Sequence, residues 1–135
     1  MNVAKIVGWI LTALLAALFL FSGAMKFSKV EGEMAEGLKK MGIEPELLPK
    51  IGVLEISCVV LFVVPHTGFI GAILLTGYLG GAIMNHIRIG DVVYTHVVIG
   101  VLVWVALGLR QPEIFQLALG LPVTGQPADE PKPLS

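Results

Sequence analysis

The sequence predicts an all-α integral membrane protein: a four-helix up-and-down bundle with a short amphipathic interfacial helix between the first and second helices. Three observations predict it. Of 135 residues, 56% are hydrophobic and only 14% charged, with a mean hydropathy of +0.87, whereas a soluble domain carries about a quarter charged residues. The apolar residues gather into four blocks, and a spanning helix needs about 20 residues, so the length accommodates four spans with short connections. Each block is apolar all round, as suits a helix that meets lipid on one side and other helices on the other.

The first block, IVGWILTALLAALFLFSGA at residues 6–24, has Lys5 before it and SGA at its end, as a secretory leader would. Its apolar run exceeds the roughly 7–15 residues of a leader's core, so it reads as a retained span. Residues 25–50 form the one long connection. There Val30, Met34, Leu38 and Met41 recur at helical spacing between Glu31, Glu33, Glu36, Lys39 and Lys40. Such an amphipathic helix lies at the bilayer surface or covers the polar end of the bundle as a lid. Gly42 stops it, and Pro45 and Pro49 lead into the second span.

The second span covers about residues 48–65 and ends at Pro65; the third, Gly-rich, covers 69–87; the fourth covers 92–110 and ends at Arg110. One transmembrane domain over 1–112 results. Residues 113–135 comprise a short surface segment, EIFQLALGL, and a polar tail, QPADEPKPLS, whose composition predicts disorder.

Small residues let helices approach closely in lipid. The third block supplies Gly77-xxx-Gly81 and the series Ala72, Thr76, Gly80; Ala13, Ala17, Gly100 and Gly108 add to them. Packing within the bundle is the plain explanation. A homodimer, or another membrane subunit docked through Gly77 and Gly81, is the alternative. A net charge of −1 without a basic stripe gives no reason to expect nucleic acid. The single cysteine, Cys58, excludes an internal disulfide and any CxxC redox motif.

Span order then gathers the ionisable residues. The ends of the first and third spans and the starts of the second and fourth share one side of an up-and-down bundle. Lys26 lies at the end of the first, and Glu55 about one turn inside the second. Asn85, His86 and Arg88 end the third; Asp91, Tyr94 and His96 open the fourth. The opposite side has mainly Lys5, His66 and Arg110. A central charge costs roughly 2.5–3.5 kcal/mol on insertion scales, so Glu55 must pair or protonate.

Each of these residues also has a structural reading. Lys26 can reach back to the headgroups, and Glu55 with Lys26 or Arg88 can be a plain ion pair. His86 and His96 can be satisfied interfacial histidines. Asp91 after Gly90 reads as a turn, Tyr78 and Trp104 as packing or lipid-facing aromatics, and Trp9 as part of an aromatic belt. Glu55, His86 and His96 would compose a two-His-one-carboxylate set, but no HxxxH or ExxH spacing supports one, and no metal is assigned. Ser57 and Cys58 lack a nucleophile elbow.

The stretches FLFSGAMKF, GIEPELLPKIGVLEI and VPHTGFIGAILLTGYLGGAIMNHIRIGD carry a resemblance. Gly23-Ala24-Met25-Lys26, Gly52-Val53-Leu54-Glu55, and Ala82-Ile83-Met84-Asn85-His86 with Arg88 are its most diagnostic pieces. Over roughly residues 5–110 the chain resembles the DoxX-like family of small four-helix membrane proteins. That family takes its name from a subunit associated with thiosulfate:quinone oxidoreductase. Some members are similar to components of membrane oxidoreductase complexes handling oxidative or thiol stress, and eukaryotic relatives act as assembly chaperones for receptors. The missing cysteine pairs argue against direct thiol–disulfide exchange by this chain.

Residues and resemblance together suggest a polar pocket lined by Lys26, Glu55, His86, Arg88 and His96, binding a small amphipathic ligand with a quinone as the possible cofactor. Glu55 and His86 would relay protons. The protein would serve as a membrane oxidoreductase-associated component in the bacterial inner membrane. In the alternative, it is a non-catalytic assembly or scaffold subunit whose buried charges form a structural ion-pair network. Counting lysines in the first connection places that side in the cytoplasm; the resemblance implies the opposite orientation.

Overall fold

The computed structural model of the chain describes residues 1–125; the polar tail expected to be disordered, from residue 126, lies outside the described residues. The fold is all-helical: α1 (Val3–Met25), α2 (Glu33–Met41), a 3-10 turn (Pro45–Leu47), α3 (Leu48–Val63), α4 (Gly68–Arg88), α5 (Tyr94–Arg110) and α6 (Pro112–Ala118). By length and composition α1 and α4 qualify as membrane spans, and α5 with α6 makes a third if that bent pair counts as one.

Local chemistry sets the boundaries. Asn2 caps α1, its side chain accepting from the Lys5 amide at 2.9 Å. In α2, Glu33 and Glu36 occupy the first turn and Lys39 and Lys40 the last, which complements the helix dipole. Gly42, at φ 71°, closes α2 in the left-handed conformation, with the Ile43 amide donating to Leu38 O. Pro49 sits in the first turn of α3, where its missing N–H costs nothing. The helix starts at Leu48, as expected, and Glu55 lies two turns inside it, deeper than the single turn expected. Pro65 forces Val64 into an extended conformation and ends α3. Pro112 cannot continue α5, and α6 leaves at a bend of 102°.

Helix α1 packs on α3 and α5, and α4 on the same two helices. Phe19, Phe62, Leu75, Leu79, Val103 and Leu107 meet in the shared core. Contacts fix neighbouring helices as antiparallel: Gly23 near the end of α1 faces Gly52 near the start of α3, and Gly8 near the start of α1 faces Arg110 at the end of α5.

The glycines of α4 correct the sequence reading. Its buried stripe is Gly68, Gly71, Ala72, Leu75 and Leu79, the repeat of a single helix face. Gly77, Gly80 and Gly81 fall on the other side, where an added Cβ would meet nothing within 4 Å. Ala13 and Ala17 are likewise exposed. Close approach is supplied instead by Gly71, where a Cβ would collide with the Phe62 backbone, and by Gly8 against the Arg110 amide.

Candidate functional site

The site-forming side chains divide into two groups at one end of the fold. In the first, Lys26 Nζ of α1 lies 2.5 Å from Glu55 Oε2 of α3. The same oxygen accepts from Tyr78 Oη of α4 at 2.9 Å. Lys26 also donates to Ser22 Oγ at 3.0 Å and to Ser22 O at 3.3 Å, so all three ammonium hydrogens have acceptors. The Glu55 side chain is 2% exposed and that of Lys26 19%. Three helices are thus joined through one carboxylate oxygen. Of the two partners expected for Glu55, Lys26 is the one it meets. Arg88 is exposed and forms no ion pair among the described residues.

In the second group the His86 and His96 rings, from the end of α4 and the start of α5, stand 4.4 Å apart between centroids and tilted by 45°. His86 Nδ1 is 2.7 Å from Ala82 O, so it carries the hydrogen, because a carbonyl only accepts. Its Nε2 lies 3.9 Å from Asp91 Oδ2, an ion pair whenever the ring is protonated. Asp91 keeps its expected turn role as well, accepting from the Val92 amide at 2.7 Å. His96 Nδ1 is sealed from solvent and has no hydrogen-bond partner among the described residues.

The two groups share an end but do not merge. Tyr78, Ala82 and His86 follow one another at four-residue intervals on α4, so about 12 Å of helix rise separates the tyrosine from the histidine. Beyond the histidines, Glu33, Glu36, Gly37 and Lys40 of α2 face Ile89, Gly90 and Asp91 across an open cleft of about 430 Å³. The amphipathic helix therefore lies beside the α4–α5 turn. Among the described residues, no three His, Cys, Asp or Glu side chains converge on a metal position.

Sequence reasoning missed two residues. Tyr78 was expected only to pack, yet its hydroxyl is a ligand of Glu55; a buried tyrosine's need for a partner is the signal that points to it. Arg110 was expected at the sparse end and is 3% exposed. It donates through Nη2 to Phe62 O and through Nη1 to Val63 O at 3.2 Å, closing the carbonyl end of α3. Its guanidinium lies between Trp9 and Phe62, 4.9 and 4.6 Å from their ring centroids. Trp9 is therefore a wall for Arg110. Trp104 also does more than pack: its indole donates to Thr76 Oγ1 at 2.9 Å.

Residues 10–109 match the model of the DoxX-like family. The chain belongs to the DoxX-like family. No curated protein and no solved structure matches it. Family membership and the long apolar helices make this DoxX-like chain an integral membrane protein in contact with the lipid bilayer. The matched region contains Lys26, Glu55, Tyr78, His86, Arg88 and His96, and it stops one residue short of Arg110.

Proposed function

We propose that this DoxX-like protein crosses the bacterial inner membrane four times and binds the headgroup of a small amphipathic, quinone-class ligand at its polar end, as a component associated with a membrane oxidoreductase. The observation that carries this reading is the His86–His96 pair, two rings 4.4 Å apart beside Asp91 at the same end of the fold as the Lys26–Glu55–Tyr78 group. A quinone, when bound, couples electron transfer to proton transfer. The chain's part is to hold the headgroup with His96 and His86. Asp91 orients His86, and the Lys26–Glu55–Tyr78 group keeps a proton donor and an acceptor two helical turns deeper. Arg88, exposed at the end of α4, serves the entrance.

Photo-crosslinking with an azido-quinone in nanodiscs tests the reading. Saturable labelling near α4 or α5, competed by unlabelled quinone and lost in His86→Ala with His96→Phe, supports it. Labelling that ignores both substitutions overturns it.

A specific observation favours a second reading. The Lys26–Glu55–Tyr78 group is closed upon itself, as a structural network would be, and Gly77, Gly80 and Gly81 leave one face of α4 free. A second copy or another membrane subunit would dock there. In that case Gly77→Leu and Gly81→Leu abolish complex formation in a pull-down, while Glu55→Gln leaves it intact.

A further inference from the structure

The end of the fold opposite the histidines holds a groove that the proposed function leaves unused. It lies in the elbow between α5 and α6, against the α3–α4 turn, with a volume of about 510 Å³. Pro65, Phe69, Ile114 and Leu117 make its apolar wall, and His66 and Gln111 supply its polar atoms. We infer that this groove holds one acyl chain of a membrane phospholipid, with the lipid's phosphate at His66. Nothing at the polar end enters here; of the four-span reading, only the crossing of the bilayer by α5 is needed.

The elbow is built to stay open. Helix α6 turns away from α5 by 102° and cannot continue the span. Phe115 ties it back: its ring stands edge-on to Trp104 at 6.2 Å and rests on Gly108, where a Cβ would come within 2.6 Å of it. Trp104 meets Phe69 of the groove wall in the same manner at 6.1 Å. Gln111 donates its side-chain amide to Pro65 O at 2.7 Å, joining the elbow to the turn. The walls are therefore fixed before any occupant arrives, as in preformed ligand sites of roughly 300–1,000 Å³.

The composition of α6 says what that occupant is. From Gln111 to Val123 the single charged residue is Glu113, and Phe115, Leu117, Leu119 and Leu121 are exposed. Such a row of apolar side chains is costly to keep in water. A segment that runs crosswise to a span with this surface rests at the boundary of headgroups and acyl chains. At that depth the apolar molecule in contact with the groove is a lipid tail. The described lining has no carboxylate to repel a phosphate, and the exposed His66 ring has an N–H to give one.

The test reconstitutes the protein in nanodiscs of phosphatidylcholine that carries a photoactivated diazirine either midway along one acyl chain or on the headgroup. Cross-linked residues are mapped by mass spectrometry. The acyl reagent is expected to label Ile114 and Leu117 severalfold more than Leu14, an exposed apolar residue in the middle of α1. The headgroup reagent is expected on His66. Ala118→Trp, which fills the groove from an exposed position, should bring the acyl labelling of Ile114 and Leu117 down to that of Leu14. Unchanged labelling of Leu14 itself shows that this variant has folded, and the comparison with Leu14 in the unaltered protein stands without it. Acyl labelling of the groove no stronger than that of Leu14, as when water or a second copy occupies it, overturns the inference. Labelling that ignores Ala118→Trp in the folded variant overturns it too, as does headgroup labelling of Ile114 and Leu117, which would set α6 above the hydrocarbon.

Discussion

Lys26 and Glu55 meet 2.5 Å apart across α1 and α3, twenty-nine positions apart in sequence. Glu55 is buried, Lys26 partly so, and the pair has company: Ser22 completes the lysine and Tyr78 completes the glutamate. Taking two charges from water is costly, and the attraction repays it only with good geometry and satisfied neighbours. Here both conditions hold.

Removing one partner of the pair should therefore be far worse than removing all of it. Lys26→Met is expected to destabilise the protein by about 3–5 kcal/mol, because Glu55 would be left buried without its cation. Lys26→Met combined with Glu55→Leu and Tyr78→Phe should recover most of that loss. Thermal unfolding in mild detergent, followed by circular dichroism, checks both. A single-variant loss below about 1 kcal/mol would mean that the pair is worth no more than a surface one.

Tyr78→Phe isolates one bond to an ionised acceptor. Such bonds contribute about 1.5–3 kcal/mol, and the ring keeps its packing, so the variant should fold with a loss in that range. The same unfolding assay measures it.

At the other end, Arg110→Lys is expected to cost about 2 kcal/mol despite keeping the charge. A lysine lacks the planar fork that reaches the Phe62 and Val63 carbonyls together, and it stacks less well between Trp9 and Phe62. Trp9 emission should report the altered contact even where the unfolding midpoint moves little.

The glycines divide into two classes with opposite outcomes. Gly71→Ala should destabilise by about 1–3 kcal/mol, since its Cβ would press on the Phe62 backbone. Gly81→Ala should leave folding unchanged or improve it by up to about 1 kcal/mol, because its Cβ meets nothing and alanine is the better helix former. Unfolding of both variants in the same detergent decides the matter.

Much of the helical class was legible because the apolar blocks are long and almost free of charge. Glu55 was conspicuous in the same way: a carboxylate amid leucine and isoleucine announces a partner. What remained hidden was geometric. A tyrosine in an apolar run reads equally well as packing, so Tyr78 gave no sign of its aim. Gly77-xxx-Gly81 is a close-packing pattern, but the helical phase of α4 turns it away from the core, and phase depends on which other residues win the interior. Arg110 looked peripheral because span order sets it level with the end of α3 but does not show that its side chain turns inward to the Phe62 and Val63 carbonyls. The depth of Glu55 follows from counting: from Leu48, where the span begins in sequence and structure alike, Glu55 is seven residues in, two turns and not one.

The short helices at the two ends have a consequence for the surroundings. Helix α2 follows α1 at one end and α6 departs sideways from α5 at the other. Between those ends α3 runs 16 residues and α5 17, about 24 and 25 Å at the usual rise. A typical hydrocarbon layer is about 30 Å thick. On the four-span reading proposed above, the lipid around α3 and α5 would thin by several ångströms or shift toward shorter chains, since tilting would shorten their reach further. A bundle so built would select its membrane by thickness.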